Sequence, residues 1–292
     1  MVWWIIILII MSAISFILNG LFLFVLVRNK DLVKRKRITY HVANIAVADT
    51  LYGLGSFCFI IILLHLNEVT FEASLLFQFM RTVGYFESQA AVLLMTIERS
   101  IVIAKPLTWN EILPRIRMLL FMLCSWMAVV TLVAVYFYFI WKTYIWRKEI
   151  ILVASIFHLV FLLSSAAVNI YMFKKLRKKD GLADNDLSTR VIPQANAQQT
   201  SMHLKRKASK LVLLLAVIMI VTCLPTSLWN LIWYICYSYK LRCNLQINSI
   251  IYNVSILLQI LNFIVNPIVY IWKDRIYRNA FYRTFKIKTA QF

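Results

Sequence analysis

Charged residues are scarce in this chain, and acidic residues are the scarcest of them. Only 15% of the 292 residues are charged, and Asp and Glu together number 12 against 32 Lys and Arg. Apolar residues make up 62%, and the mean hydropathy is +0.75. A soluble globular domain of this size has too little interior for so much apolar surface. The composition therefore excludes a soluble fold and predicts a membrane protein.

Two further features restrict the function. The sequence contains no His-Glu-x-x-His motif and no recognisable pair of nucleophile and base, so an enzyme is disfavoured. The net charge of +20 also suits nucleic-acid binding, but the basic residues are divided among short segments beside apolar runs. Anionic lipid of the inner leaflet and an acidic intracellular partner account for that distribution better.

Seven long apolar segments dominate the chain. Each is long enough to cross a hydrocarbon core of roughly 30 Å at about 1.5 Å per residue. They run over residues 3–27, 39–64, 75–104, 117–140, 149–173, 210–236 and 246–272. We therefore predict an all-α bundle of seven transmembrane helices, in one domain over residues 1–292.

The basic residues predict the orientation of this bundle. Segments after spans one, three, five and seven carry most of the Lys and Arg, with ten between residues 174 and 210 alone. The alternate segments carry only five. Because cytoplasmic segments favour basic residues, the N-terminus is predicted outside and the C-terminus in the cytoplasm, across the plasma membrane.

The tail and two cysteines complete this description. Apolar residues recur among basic ones over 273–285, which predicts a short amphipathic helix on the inner membrane surface. Cys236 and Cys243 flank the outer segment between spans six and seven, in an oxidising environment. They form either a disulfide or two free thiols. The other cysteines, which lie within spans and pack as small apolar groups, are Cys58, Cys124 and Cys223.

Polar residues inside the spans form an ordered series of motifs. The motifs are Leu18-Asn19-Gly20, Asn44-Ile45-Ala46-Val47-Ala48-Asp49, Glu98-Arg99-Ser100, Ala104-Lys105-Pro106-Leu107, Trp126, Cys223-Leu224-Pro225 and Asn266-Pro267-Ile268-Val269-Tyr270. In this order and spacing, the chain resembles the rhodopsin-like, class A G-protein-coupled receptors over residues 19–281. The resemblance implies a receptor that transmits an extracellular ligand to heterotrimeric G proteins.

The last of these motifs places a proline inside an apolar run. Pro267 frees a backbone carbonyl, which then needs another partner inside the membrane. The neighbouring amide of Asn266 and phenol of Tyr270 add polar groups where hydrocarbon makes them expensive. Such a costly arrangement predicts a functional role.

The resemblance also implies a cation site. In the inactive state of the family, a sodium ion is surrounded by the positions of Asp49, Ser88, Asn262 and Asn266. All four side chains carry oxygen, which suits this hard cation. A water-filled polar network without sodium is the alternative, and no other cofactor is implied.

The activation switch is carried over in the same way. Arg99 corresponds to the arginine that pairs with the preceding acid, here Glu98, and meets the G protein in the active state. Many relatives restrain this arginine with a second acid on span six. Lys205 occupies that position, so we expect measurable basal signalling. The other residues matched to the switch are Tyr171, Pro225, Pro267 and Tyr270.

Departures from the family pattern indicate which branch of the family the chain resembles. The common disulfide between span three and the second outer loop is impossible, because Ser74 stands near one cysteine position and residues 138–150 contain no cysteine. Leu163 replaces the usual proline of span five, and Cys223 replaces the usual tryptophan just before Pro225. These departures are similar to those of the melanocortin, lysolipid and cannabinoid receptor branch.

The same correspondence predicts the ligand pocket. Arg81 replaces the aspartate of amine receptors and Ile260 the lysine of opsins, so monoamines and retinal are disfavoured. A guanidinium suits an anionic ligand such as a lipid, a carboxylate or an acidic peptide. Alternatively, Arg81 reaches outward to Glu68 or Glu72, or it pairs with Glu87. The pocket residues are Gln78, Arg81, Thr82, Tyr85, Thr226, Ser227, Asn230, Tyr252, Ile256 and Gln259.

Three more polar residues in the spans invite a functional interpretation. Glu87 is either a proton sensor or a hydrogen-bonded structural acid. His65 and His158 are isolated, which favours packing roles over metal binding.

Other functions and partners stay open. The chain is alternatively an orphan receptor that signals constitutively or serves as a heterodimer partner, or an ion-coupled transporter, although the sequence shows no internal repeat. Arrestin binding is expected to be weak and to depend on the third inner loop, because the tail offers only Thr284 and Thr289 for phosphorylation. The loop sites are Ser188, Thr189, Thr200, Ser201 and Ser209.

Overall fold

The computed structural model describes residues 2–35, 37–64, 71–105, 108–142, 147–186, 193–239 and 245–286. Throughout these ranges the chain is helical and contains no β-strand, which confirms the all-α prediction. The helices are α1 (Val2–Arg28), α2 (Lys30–Arg35), α3 (Ile38–Leu64), α4 (Phe71–Ala104), α5 (Trp109–Ile112), α6 (Arg115–Lys142), α7 (Arg147–Asp186), α8 (Pro193–Ser238), α9 (Leu245–Lys273) and α10 (Arg275–Thr284).

Several predictions concern residues outside this described part. They are those for His65, Glu68, Pro106, Leu107, Ser188, Thr189, Cys243 and Thr289, together with the side chains of Glu72, Thr200, Ser201 and Lys205. Cys58, Cys124 and Cys223 are free thiols, as expected. Cys236, near the end of α8, is disulfide-bonded. Because Cys243 is not described, the Cys236–Cys243 pair stays a prediction.

Seven of the ten helices in the described ranges are long and form the bundle. Six of them, α1, α3, α6, α7, α8 and α9, are long and apolar enough to cross a membrane. The seventh, α4, carries five charged residues along its length, and these lower its hydropathy. Three of them, Glu87, Glu98 and Arg99, are buried inside the bundle. These three charges therefore face the protein and not the lipid, which is where polar groups of a spanning helix belong.

Helix α4 lies at the centre, in contact with α3, α6, α7 and α8. Small residues bring it unusually close to α3. A Cβ atom on Gly55 would lie 2.6 Å from the Arg81 backbone nitrogen, and one on Gly84 would lie 2.5 Å from that of Tyr52. Glycine on both faces thus permits backbone contact, as at other membrane helix interfaces. This backbone contact fixes the position of Arg81 along the length of α3.

The proline of α9 explains how α1 is attached to the bundle. Pro267 has no N–H for the carbonyl of Phe263, one turn earlier. The Asn19 side-chain nitrogen donates to that carbonyl at 2.9 Å and to the Ser15 carbonyl at the same distance. The freed carbonyl therefore has a partner on another helix, as the sequence required.

The short helix α10 is anchored to the protein as well as being amphipathic. Asp274 caps it by accepting a hydrogen bond from the Ile276 backbone nitrogen at 2.9 Å. Tyr277 and Ala280 are buried where α10 packs against α1 and α9. At its other end, the Asn29 amide donates to the Thr284 hydroxyl at 2.9 Å. Tyr277, one of the apolar residues of the predicted amphipathic helix, thus faces the bundle.

Candidate functional site

A carboxylate lies fully buried in the middle of the bundle. Asp49 of α3 accepts a hydrogen bond from the Ser88 hydroxyl of α4 at 2.5 Å and one from the Asn266 amide of α9 at 2.8 Å. Among the described residues, no cationic side chain pairs with it. Three of the four residues predicted to hold sodium are thus hydrogen-bonded to one another.

The fourth residue of this set, Asn262, supplies an oxygen that is not otherwise used. Its side chain is buried, and its Oδ1 atom has no hydrogen-bond partner in the described part of the chain. A buried polar atom without a partner is costly, and a bound cation is one way to satisfy it. A carboxylate, a hydroxyl and amide oxygens are ligands that a hard cation prefers. The residues present therefore fit a sodium ion.

A second ionic cluster lies near the C-terminal end of α4. The Arg99 guanidinium donates to Glu98 Oε1 at 2.7 Å, and both side chains are buried. The other carboxylate oxygen, Oε2, lies 3.0 Å from Nε2 of His41 on α3. Glu98 is therefore held from two sides, by its neighbour in sequence and by a histidine on another helix. This is the pairing predicted for the inactive switch, with His41 added.

Further contacts near this cluster join the start of α3 to α5 and to α10. Arg37, just before α3, donates to the Leu113 carbonyl at 2.7 Å and lies 4.5 Å from the centre of the Trp109 ring. Desolvation lowers the pKa of Arg37 from its usual value. The Tyr277 hydroxyl shares a 3.1 Å hydrogen bond with Thr39, and burial raises the pKa of this phenol. The hydrogen bonds of Arg37 and Thr39 hold the N-terminal end of α3 to these neighbouring segments.

A third polar group joins α3, α4 and α6. Glu87 accepts hydrogen bonds from the Asn44 amide at 3.1 Å and from the Ser125 hydroxyl at 2.9 Å. Trp126 donates to the Asn44 oxygen at 2.7 Å. These bonds favour the interpretation of Glu87 as a structural acid. The ion pairs of the described residues do not include one between Glu87 and Arg81.

The predicted pocket residues lie on one face of each helix. On α4 the spacing of Gln78, Arg81, Thr82 and Tyr85 places them along a single side. Arg81 lies with its guanidinium 5.6 Å from the centre of the Phe59 ring of α3, and no described carboxylate pairs with it. Thr82 donates to the Gln78 carbonyl of its own helix at 2.8 Å.

Pocket residues of α8 and α9 each contact the facing helix. Thr226 donates to the Ser255 carbonyl of α9 at 3.1 Å. Tyr252 is partly exposed, and its ring centre lies 6.3 Å from that of Trp229. Gln259 is buried. Of the others, Asn230 and Ile256 are half-buried.

Two pocket residues are joined by a histidine that was expected only to pack. His158 of α7 is buried, and its Nε2 atom lies 2.9 Å from the Tyr85 hydroxyl and 2.8 Å from Oε1 of Gln89. Its Nδ1 atom lies 2.6 Å from the Ser227 hydroxyl of α8. The Gln89 amide in turn contacts the Cys223 sulfur at 4.0 Å. His158 therefore connects three helices.

The remaining switch residues stand in different environments. Tyr270 is fully buried, and its hydroxyl has no hydrogen-bond partner in the described ranges. Tyr171 is largely exposed on α7, where the Lys175 ammonium lies 5.7 Å from its ring centre. Pro225 and Pro267 interrupt the hydrogen bonding of α8 and α9.

The sequence did not predict the roles of three polar residues in these clusters. Gln89 and His158 are 69 residues apart in the chain and His41 is 57 residues from Glu98, so no local pattern pairs them. His41 precedes Asn44 by three residues and shares a helical face with it. That spacing is the only signal that could have placed His41 inside the bundle.

Comparison with known proteins agrees with this arrangement. The model of the 7 transmembrane receptor (rhodopsin family) matches residues 18–270, which is most of the chain. No curated protein sequence matches the chain. The matched range contains the Asp49 cluster, the Glu98–Arg99 pair and the proline motif of α9. The chain belongs to the rhodopsin family of seven-transmembrane receptors, the family of G-protein-coupled signalling receptors that its motifs resemble.

Proposed function

We propose that this receptor transmits the binding of an extracellular anionic ligand to a heterotrimeric G protein. The observation that carries the proposal is the buried Glu98–Arg99 pair at the cytoplasmic end of α4. A buried ion pair is costly to desolvate and is therefore weak evidence for stability alone. Its position at the face where the family meets the G protein supports a switching role for Arg99.

The mid-membrane cluster gives this switch an ion-dependent control. Asp49, Ser88, Asn262 and Asn266 would hold a sodium ion in the inactive state. The bound ion would supply positive charge beside a carboxylate that no described cation neutralises. These residues join α3, α4 and α9, so whatever stabilises the cluster also resists separation of the three helices.

Arg81 supports an anionic ligand. Its guanidinium contacts the Phe59 ring, which leaves its five N–H donors available for a carboxylate or a phosphate. An aromatic face stabilises a cation but does not neutralise it. A ligand carboxylate would supply the missing charge. Glu68 and the Glu72 side chain lie outside the described part, so snorkelling toward them stays an alternative.

One observation also favours signalling without a ligand. The carboxylate that pairs with Arg99 comes from its own helix, and His41 of α3 holds the other oxygen of that carboxylate. Within the described ranges, no ion pair joins the cytoplasmic ends of α4 and α8. The sequence has Lys205 where many relatives carry a second acid, which supports basal signalling by an orphan receptor or a heterodimer partner as the second candidate.

The proposal includes the surroundings of the receptor. The basic inner segments favour the plasma membrane with the C-terminus in the cytoplasm, in contact with anionic lipid. Arrestin binding should be weak, because the Thr284 hydroxyl is already bonded to Asn29 and to the Ala280 carbonyl. The Ser209 side chain of the third inner loop is buried. Both observations reduce the number of accessible phosphorylation sites.

The ligand proposal is tested with G-protein biosensors in cells, read with and without anionic lipids, carboxylates and acidic peptides. A response to one of these classes should disappear in Arg81→Gln, because the amide cannot pair with an anion as a guanidinium does. Arg28→Gln is the matched control. Arg28 also lies beside a phenylalanine ring, 6.0 Å from the centre of Phe24, but at the cytoplasmic end of α1. It should keep the full response.

Each alternative has its own result. A response of equal size in Arg81→Gln and wild type would show that Arg81 does not bind the ligand. Ion-dependent substrate flux in proteoliposomes, without any G-protein activation in cells, would instead support a transporter.

A further inference from the structure

The buried histidine of α7 is the part of the molecule that the proposed function does not yet use. His158 lies between three helices, and every one of its contacts is a side chain of α4 or α8. Two of those contacts, Tyr85 and Ser227, are predicted pocket residues. A third, Gln89, lies one turn below Tyr85 on the same face of α4.

The hydrogen bonds assign the proton on this imidazole. The Gln89 amide nitrogen points to the Cys223 sulfur, so its oxygen faces Nε2 of His158 and accepts from it. With the proton on Nε2, Nδ1 accepts from the Ser227 hydroxyl at 2.6 Å, a shorter contact than the 3.3 Å from that hydroxyl to the Cys223 carbonyl of its own helix. The neutral ring therefore forms one hydrogen bond to α4, through Gln89, and one to α8, through Ser227. Polar groups buried at membrane depth require such partners, because no water replaces a lost bond at low cost.

The position of Ser227 relates these hydrogen bonds to the bending of α8. Ser227 follows Pro225 by two residues, and Pro225 interrupts the hydrogen bonding of α8. A helix bends most readily at such a point. The bond from Ser227 to His158 therefore fastens α8 to α7 beside its own flexible point. The network is observed together with the Glu98–Arg99 pair, which is the inactive arrangement of the switch.

We propose that His158 is a positioning residue that holds the pocket residues Tyr85 and Ser227 together and thereby fastens α8 at its Pro225 hinge in the inactive state. The inference rests on the proposed receptor function. A ligand that takes over a bond of Tyr85 or Ser227 would weaken this fastening and allow α8 to move. The polar network thus connects events in the pocket to the cytoplasmic end of α8.

Two substitutions remove the fastening without removing much volume. His158→Phe keeps an aromatic ring but has no nitrogen, and Ser227→Ala removes a single oxygen. At matched surface expression, each should raise basal G-protein activation by about three- to tenfold, the effect expected from losing one interhelical bond in a membrane protein. The double variant should give no more than the larger single effect, because both changes break the same bond. Ser227→Thr keeps the hydroxyl and should restore the wild-type level.

Thr222→Val is the matched control. Thr222 is buried on the same helix, but its hydroxyl donates to the carbonyls of Ile218 and Met219 in α8 itself. It should leave basal activation unchanged. If His158→Phe does not reach the cell surface, Ser227→Ala decides the question alone. Unchanged or reduced basal activation in Ser227→Ala would overturn the proposal, as would an equal rise in Thr222→Val.

A direct distance measurement separates this inference from the proposed function. Spin labels on unnatural amino acids at Ala104 of α4 and Lys210 of α8, both exposed, report the separation of the two cytoplasmic ends in purified receptor in nanodiscs. Ser227→Ala should enlarge the long-distance population by about three- to tenfold. That result without activation of any G protein would contradict the proposed coupling but support the role of His158. An unchanged distance distribution with intact, Arg99-dependent basal signalling would contradict the role of His158 alone.

Discussion

The hydrogen bond between α1 and the proline-containing helix makes a quantitative prediction. Asn19→Ala removes the donor to the Phe263 carbonyl, which has no backbone donor because residue 267 is proline. Leaving a buried acceptor without a partner costs about 1–3 kcal/mol. Interhelical hydrogen bonds in membrane proteins are worth about 0.6 kcal/mol on average and reach about 1.7 kcal/mol. We therefore expect a loss of about 1 kcal/mol.

The loss should appear as a lower melting temperature of the purified receptor in detergent. With about 2.1 cal/mol/K of unfolding entropy per residue, a loss of about 1 kcal/mol in a chain of 292 residues corresponds to a fall of roughly 1–2 °C. All variants must be heated at one scan rate, since unfolding of such proteins is commonly irreversible. Asn169→Ala is the matched control. Its buried amide donates to the Ser165 carbonyl of its own helix, which the helical backbone also serves. Its melting temperature should fall by less than half as much.

A double-mutant cycle tests the cause. In Pro267→Ala, residue 267 regains an N–H that can donate to the Phe263 carbonyl. Asn19→Ala should then cost much less in this background than in the wild type. An equal loss in both backgrounds would refute the reasoning that Asn19 serves the carbonyl freed by Pro267. So would a loss in Asn169→Ala as large as that in Asn19→Ala.

Three further predictions concern the ion site, the switch and the outer cysteines. Asp49→Asn should abolish the sodium dependence of basal signalling while surface expression is kept, because the amide lacks the charge that attracts the cation; unchanged dependence would count against the site. Lys205→Glu should lower basal signalling by supplying an acid for Arg99, and equal signals in variant and wild type would contradict this. Mass spectrometry of the non-reduced receptor should find a peptide linked through Cys236 and Cys243, a disulfide that stabilises the fold by at most about a few kcal/mol. Free thiols at both positions would exclude this bond.

Much of the fold followed from the sequence, because composition and segment length are sufficient to identify membrane helices. Helix α4 is not among the six helices that hydropathy identifies as spans, since Arg81, Glu87, Glu98 and Arg99 lie along it. The prediction of a span over 75–104 rested on its length and its apolar residues. The central position of α4 explains its charges: most of them face other helices, where hydropathy does not describe the environment.

The contacts between residues far apart in the chain could not be predicted from local sequence patterns. The Asp49 cluster could be predicted by resemblance, because its members occupy positions that the family marks. His158 was interpreted as isolated, since its partners on α4 and α8 lie 69 to 73 residues away. Tyr277 of α10 belongs to the apolar residues of the predicted amphipathic helix, yet it is buried against the protein. An amphipathic pattern identifies the apolar face of a helix but not whether lipid or protein covers it.

The branch within the family stays a prediction. It depends on missing features, such as the absent second-loop disulfide and the proline replaced by Leu163, and the family match does not distinguish branches. The ligand class depends on Arg81 and is equally open to experiment.

The most direct test of the account is basal G-protein activation in cells by the wild-type receptor and by Arg99→Ala, at matched surface expression. Arg99 is buried against Glu98 near the C-terminal end of α4, whereas Arg117, near the start of α6, is exposed and donates to the Ile112 carbonyl. The account predicts that Arg99→Ala reduces activation to the level of cells without the receptor, while the control Arg117→Ala keeps it. A signal of equal size in Arg99→Ala and wild type would contradict the claim that this chain signals through Arg99.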